Sequence, residues 1–541
     1  LNLEVSSLQK YENFLHRLPR ELFTAAQVRA LDAEAIASGV SSYELMRRAA
    51  LVVLSGLRQR WPQTRRLLVF VGTGNNGGDG YLVATLAHAE GFDVRVFEVG
   101  DSARRKGDAI RAREEFLTTG LRAHSWHDFD ALNAYHSAAD TVVVDALLGT
   151  GLSGAVKSPF DAAIRLINSL SLPVVAVDIP SGLASDTGWC KLAVQAQMTI
   201  SFIGLKQGLF TALGPECAGE ILFHDLGTAV TLSQSDIVRA PASRRIDIAS
   251  ASKLLPPRSK AVHKGSCGNV LVVGGDLGYG GAALMAAQAA ARAGAGTVSL
   301  ATRSAHVCAA LARQPEIMVG AVDAPAGADY GLMSRLLERA DVVLLGPGLG
   351  QSEWSKAMLG QVLQFAGDKL PLVVDADALN LLAANAQLRR EISPLPEKRQ
   401  SMRRRQWILT PHPGEAARLL GCEIDQVQQD RFAAVRQLQA VWGGACLLKG
   451  AGSLVCYEET GATVVHLCSE GNPGMASGGM GDVLGGIVAA FVAQGLDYGV
   501  SLTAAVCVHG EAADLSAQAG GERGMQATDL LEYIRGLVNV Q

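Results

Sequence analysis

No stretch of this chain is apolar for long enough to cross a bilayer. The longest such run, VLGGIVAAFVAQGL from Val483, falls short of the ~20 residues a membrane helix needs, and predicts a buried helix instead. CxxC pairs are missing, and the nine cysteines show no Cys/His spacing suited to zinc. Free thiols in a reducing compartment are therefore expected. The first residues, LNLEVSSLQKYENFLHRLPREL, lack the apolar core and cleavage site of a signal peptide, so a cytoplasmic protein without a membrane partner is expected. Charge is also sparse. Only 18% of residues are Asp, Glu, Lys or Arg, and a net charge of −4 offers no field to attract nucleic acid. The basic cluster around Arg403 to Arg405 is local and reads as a solvated loop.

What is abundant is apolar and small. A hydrophobic content of 48% over 541 residues implies well-buried cores, and the length implies two of them. Short apolar runs alternate with alanine-rich amphipathic segments, the pattern of βαβ units and parallel sheets. RLLVFVG, DVRVFEV, TVVVDAL and PVVAVDI are the strand candidates of the first half. GNVLVVGG, TVSLAT, DVVLLGPG, LPLVVDAD, WILTPH and ACLLKG are those of the second. Between them, from about Leu226 to Lys264, periodicity lapses and Pro256 and Pro257 would stop a helix, which predicts the interdomain connection. The fold class is α/β in two domains.

Ligands of open α/β sheets bind beyond the carboxyl ends of strands, so residues at those ends matter most. RLLVFVG runs into TGNNGGDGY and then a helical pattern. Gly74, Gly77, Gly78 and Gly80 permit a tight turn and close approach of a ligand, although such a turn alone is weak evidence. TVVVDALLGTGLSG places Asp145 at a strand end, and PVVAVDIPSGL does the same for Asp178, with Ser181 after it. A lone Asp there is more often a cap or turn former. Three such ends in one sheet favour a site, and their Asn, Asp and Ser oxygens suit an alkali or alkaline-earth cation.

GTGNNGGDG, DALLGTGL and VDIPSGL resemble the motifs of the NAD(P)HX epimerase family over roughly residues 20 to 230. The resemblance implies a Rossmann-like three-layer domain, within residues 1–232, that interconverts the epimers of hydrated NADH and NADPH and binds potassium. Asn75, Asn76, Gly77, Gly78 and Asp79 would contact the ligand. Gly149, Thr150, Gly151, Leu152, Ser153, Gly154 and Ala155 would cradle phosphate, and Asp178 would lie beside the hydrated ring. Asn76, Asp145 and Ser181 would hold potassium. Asp178 either transfers a proton or orients the ring; the residues leave both open.

In the second half, GNPGMASGGMGDVLGG opens a helix with Gly478, Gly479 and Gly481, whose unobstructed amides form an anion hole. Asp482 in the first turn reads as a helix cap and catalytic base combined. Lys449 with Gly450 and Gly452 suits a nucleotide or a plain hairpin turn. Asp375 and Asp377 suit a magnesium–phosphate cluster. His412, between two prolines, suits a ligand contact, with Glu415 beside it. HKG, GPGLG, DADALN, TPHPGE, KGAGS and GGMGD, in that order, resemble the ADP- or ATP-dependent NAD(P)HX dehydratases, a ribokinase-like family, over about residues 240–541.

That resemblance implies contacts from Ala282, Gly348, His412 and Asp482 to the hydrated substrate. Lys449, Gly450, Ala451, Gly452, Ser453 and Gly481 would hold ADP or ATP with magnesium. The implied reaction phosphorylates the hydrate hydroxyl, since phosphate leaves more readily than hydroxide, and then eliminates phosphate. Met480 stands where ribokinase-like kinases usually carry a small residue. A homo-oligomer, such as a tetramer, is also implied. The competing readings are a small-molecule kinase fused to an isomerase, and a first domain that acts only as a scaffold.

Overall fold

The computed structural model describes residues 18–129, 140–152, 154–323, 330–367, 369–385 and 407–539; Ser153 and Arg403 to Arg405 lie outside them. The chain divides into two compact units between Arg244 and Arg245, within the aperiodic stretch. That stretch is not structureless. Ser235 and Asp247 cap short helices at Asp236–Arg239 and Ile248–Ala251, where turn-forming side chains replace the missing periodicity. Among the described residues, no helix is long and apolar enough to cross a membrane.

The first unit contains β1 (Glu21–Phe23), β2 (Arg66–Val71), β3 (Asp93–Glu98), β4 (Ala123–Ser125), β5 (Thr141–Ala146), β6 (Val174–Val177), β7 (Met198–Phe202), β8 (Leu205–Lys206) and β9 (Glu220–His224). Its main sheet runs β4-β3-β2-β5-β6-β7-β9, with every pairing parallel. The sheet is covered on both faces, which is why β2 is an unbroken apolar run. Leu67, Val69 and Val71 join one core with helices Ser42–Arg60 and Asn75–Ala89, while Leu68 and Phe70 join another beneath helix Phe160–Ser169. The chain reverses its direction of travel between β2 and β5, so a crevice opens there beyond their carboxyl ends.

Strand β10 (Ser243–Ile246) carries the chain across the division. The second unit contains β11 (Asn269–Val273), β12 (Thr297–Thr302), β13 (Met318–Ala321), β14 (Val342–Leu345), β15 (Leu372–Val374), β16 (Trp407–Leu409), β17 (Ala445–Leu448), β18 (Ser453–Glu459) and β19 (Ala462–Cys468). They run β13-β12-β11-β14-β15-β16-β17-β18-β19, parallel as far as β17 and antiparallel beyond it. Helices Gly280–Arg292 and Met480–Ala493 meet closely enough that a Cβ on Gly486 would lie 2.2 Å from the Ala286 carbonyl oxygen. The small residues of both helices permit that approach, which brings the start of Met480–Ala493 to the carboxyl ends of the strands.

Candidate functional sites

In the first unit the NNGGDG segment is the first turn of helix Asn75–Ala89, not a loop. Its cap, Gly74, has no side chain to bond the first amides, so they stay open to a ligand. The glycines divide into two groups. A Cβ on Gly77 would fall 2.2 Å from the Gly72 oxygen and one on Gly80 2.6 Å from the Ala146 side chain, whereas Gly74 has open space. Gly77, Gly78 and Gly80 therefore seat the helix against its neighbours, and only Gly74, Asn75, Asn76 and Asp79 of this segment reach the cavity. That cavity, of about 610 Å³, is also lined by Gly149, Thr150, Gly151, Leu152 and Asp178. Gly154 and Ala155 lie outside its lining.

Asp145 and Ser181 are both wholly buried. The Ser181 hydroxyl donates to Asp145 Oδ1 at 2.6 Å, its backbone N–H donates to Oδ2 at 2.8 Å, and the Leu148 N–H donates to Ser181 Oγ at 2.8 Å. Burial raises the Asp145 pKa to about 6, partly offset by the two Ser181 bonds and the Leu147 N–H, which donates to Oδ1. Gly149, next to Leu148, faces Asn76, since a Cβ on it would lie 3.4 Å from the Asn76 side chain; the buried amide oxygen and nitrogen of Asn76 both lack a hydrogen-bond partner. A buried, unanswered amide facing the turn that Asp145 and Ser181 hold is an environment an oxygen-ligated cation would satisfy.

Sequence reasoning missed the other half of this cavity. Lys206, 1% exposed, points its ammonium at Asp178 Oδ1 and also donates to Ser201 Oγ and the Phe202 carbonyl, both at 3.2 Å. Asp178 has φ +69°, a left-handed conformation that costs a non-glycine residue and is common at functional sites. Asp79 and Asp32 face the same ammonium. Burial and the Asp178 charge raise both carboxyls, Asp32 to about 6, while Lys206 pulls them down. Lys206 could have been noticed as the one cation ending the apolar run TISFIGLK. Asp32 had no such signal, because VRALDAEAIA reads as an ordinary surface helix.

In the second unit, five of the six motif segments meet. Lys449 Nζ donates to Asp375 Oδ1 at 2.8 Å and lies 3.8 Å from Glu415. A Cβ on Gly481 would sit 3.2 Å from that ammonium and 3.5 Å from Asp375 Oδ2. Asp377 accepts the Gly350 N–H at 2.8 Å, which ties GPGLG to DADALN. Ala282 and Gly348 are neighbours: a Cβ on Gly348, at φ +58°, would approach the Ala282 side chain to 3.1 Å. The sixth segment, HKG, precedes β11 and packs against Gly296 before β12, so it sits at the amino ends of the strands, away from this cluster.

The structure defines three further side chains, the first of them against expectation. Asp482 is no helix cap: Gly479 holds that position at φ +94°, and the Asp482 carboxyl has no hydrogen-bond partner among the described residues. Burial first, then the Asp375 charge, raise its pKa to about 7 against the pull of Lys449. His412 does cap a helix. Its Nδ1 accepts the Gly414 N–H at 3.0 Å, and the Glu415 carboxylate returns a bond to the His412 N–H at 2.8 Å. Burial first, then the Lys449 charge, lower its pKa. Met480 is 6% exposed and packs into the core, so its bulk is turned away from the open amides.

The fold and sites define a two-site α/β enzyme, each site lying beyond the carboxyl ends of sheet strands beside an uncapped helix start. Residues 42–208 match the family described as YjeF-related protein N-terminus, and residues 270–535 the family NAD(P)H-hydrate dehydratase. A bifunctional NAD(P)H-hydrate repair enzyme from Coxiella burnetii is 42% identical over 96% of this chain and 99% of its own, and one from Escherichia coli is 40% identical over 96% and 95%. The chain belongs to the family of bifunctional NAD(P)H-hydrate repair enzymes, which combine epimerase and dehydratase activities. Among solved structures, a ribokinase-like superfamily protein of Enterococcus faecalis is similar over 55% of this chain and 95% of its own, at 27% identity and TM-score 0.47. The reading as a kinase fused to an isomerase or scaffold is not favoured.

Proposed function

We propose that the first unit interconverts the epimers of hydrated NADH and NADPH in the 610 Å³ cavity, with Asp178 and Lys206 moving the protons. Inverting a hydroxyl-bearing ring carbon requires its C–O or a ring bond to open and re-form, which a proton delivered and later withdrawn assists. The buried Asp178–Lys206 pair supplies a carboxylate and an ammonium side by side, and the Asp79 and Asp32 carboxyls, their pKa raised by burial, lie close by. Asn75, Asp79 and the Gly149–Leu152 turn line the cavity and would bind the dinucleotide. Asn76, Asp145 and Ser181 fit potassium, and the unpartnered Asn76 amide is the observation that carries this assignment. Potassium there would fix the DALLGTGL and VDIPSGL strand ends.

The second unit, on this reading, phosphorylates the hydrate hydroxyl from ADP or ATP and then eliminates phosphate. The carrying observation is the unpartnered Asp482 carboxyl, with a pKa near neutrality, at an open helix start beside the Lys449–Asp375 pair. It can take the hydroxyl proton as the phosphoryl group arrives at the Gly478–Gly481 amides. Magnesium suits the site as a phosphate-borne ion with one or two carboxylates. Ala282, Gly348 and His412 would contact the hydrate, and the Lys449–Ser453 turn and Gly481 the nucleotide. The test incubates the full chain with hydrated NADH and ADP or ATP, with and without potassium, and follows the reduced-nicotinamide absorbance. Recovery with one nucleotide is expected; none with either would overturn the dehydratase assignment.

A further inference from the structure

The turn joining β17 to β18 wraps around a cation that belongs to neither strand. Arg431, the first residue of helix Arg431–Trp442, is 1% exposed. Its Nη2 donates to the carbonyls of Leu448 and Lys449, both at 3.3 Å, and of Gly452 at 3.4 Å, while Nη1 donates to Gln428 Oε1 at 3.1 Å. The guanidinium fills the place a side chain would need at Gly450: a Cβ there would meet Nη1 at 3.0 Å, and Gly450 has φ +133°. Only glycine lets the turn close over the cation.

This arrangement decides which way the turn's peptides face. In a trans peptide the N–H points opposite to the C=O. With the Lys449 carbonyl drawn down to Arg431, the Gly450 N–H is turned up and away from it. That N–H has no partner among the described residues. The Lys449 side chain is meanwhile held by Asp375. The turn is thus pinned from below by its carbonyls and from the side by its lysine, with an amide donor left facing outward.

We propose that Arg431 is a positioning residue for nucleotide binding: it holds the Lys449–Ser453 turn so that the Gly450 N–H meets the anionic nucleoside di- or triphosphate. This rests on the reading that the turn holds the nucleotide. Arg431 does not touch the nucleotide itself. Burial lowers its pKa only to about 10, so it stays cationic at neutral pH.

The test uses the full chain with Arg431→Met and Arg431→Lys, fitting kcat and separate KM values for nucleotide and hydrate. Nucleotide KM should rise on the order of tenfold or more for Arg431→Met and less for Arg431→Lys, which keeps the charge but loses the fork. Hydrate KM and the epimerase rate should stay within about twofold. Equal losses across nucleotide KM, hydrate KM and kcat would reduce Arg431 to general structural support and overturn the proposal. So would an unchanged nucleotide KM in a folded Arg431→Lys chain, the variant that decides if Arg431→Met does not fold. Ala451→Trp, at an exposed turn residue, separates the two ideas. If it leaves nucleotide KM unchanged, the nucleotide is not at this turn. If it raises nucleotide KM while both Arg431 variants do not, only the role of Arg431 fails.

Discussion

At the scale of the residue, Asp482 links activity to stability. Its pKa is raised from 3.8 to about 7, so the folded state holds this proton more tightly than the unfolded chain does. Stability is therefore lost as pH climbs through that window, and Asp482→Asn removes the penalty. The Asn variant should lose dehydration by about 10³-fold or more, yet be more stable than wild type by roughly 1–3 kcal/mol at about pH 8 and equal to it near pH 4, measured by denaturant titration. The wild-type dehydratase rate should rise with pH through about 7. A flat profile across that range would remove Asp482 as the base. Lys206→Met carries the opposite expectation. Leaving Asp178, Asp79 and Asp32 without their shared counter-charge should cost about 3–5 kcal/mol near neutral pH and abolish epimerisation.

Among the elements, the helix Asn75–Ala89 shows which glycines serve the fold. Gly77→Ala should cost about 2–4 kcal/mol, because the Gly72 carbonyl already occupies its space. Gly151→Ala, which has open space, should stay within ~0.5 kcal/mol while weakening substrate binding. Equal losses of stability would contradict the packing assignment. From the sequence alone the NNGGDG run was legible as a strand-to-helix turn. Its separation into packing glycines and ligand-facing residues was not, because that depends on β2 and β5 lying beside it. Likewise KGAG allowed a nucleotide contact or a plain hairpin. It does form a hairpin turn, shaped by a cation from a separate helix, and the nucleotide contact is proposed for that same turn.

In the molecule as a whole, two chemistries share one chain, and each variant should silence one of them. Given mixed epimers, ADP or ATP and a time short against uncatalysed epimerisation, wild type should recover nearly all the NADH. Asp178→Asn should recover only the share present as the accepted epimer, and Asp482→Asn none. Chiral chromatography of the residual hydrate would show whether the Asp482→Asn chain still equilibrates the epimers. Loss of both activities in either variant would break the two-site scheme.

The sequence by itself determined what depends on local order along the chain: alternating strands and helices, two cores, and polar residues at strand ends. Those follow from apolar periodicity and from the rule that sheet ligands gather at carboxyl edges. Tertiary structure alone decided which side chains meet. Lys206 joins Asp178, Asp79 and Asp32; Arg431 enters a turn formed by two later strands; HKG is carried to the opposite edge of its sheet. Asp482 is released from capping because Gly479 takes that position, and His412 caps a different helix, Pro413–Leu420. Charge pairing, burial and backbone direction arise only when distant segments pack, and no spacing along the chain encodes them.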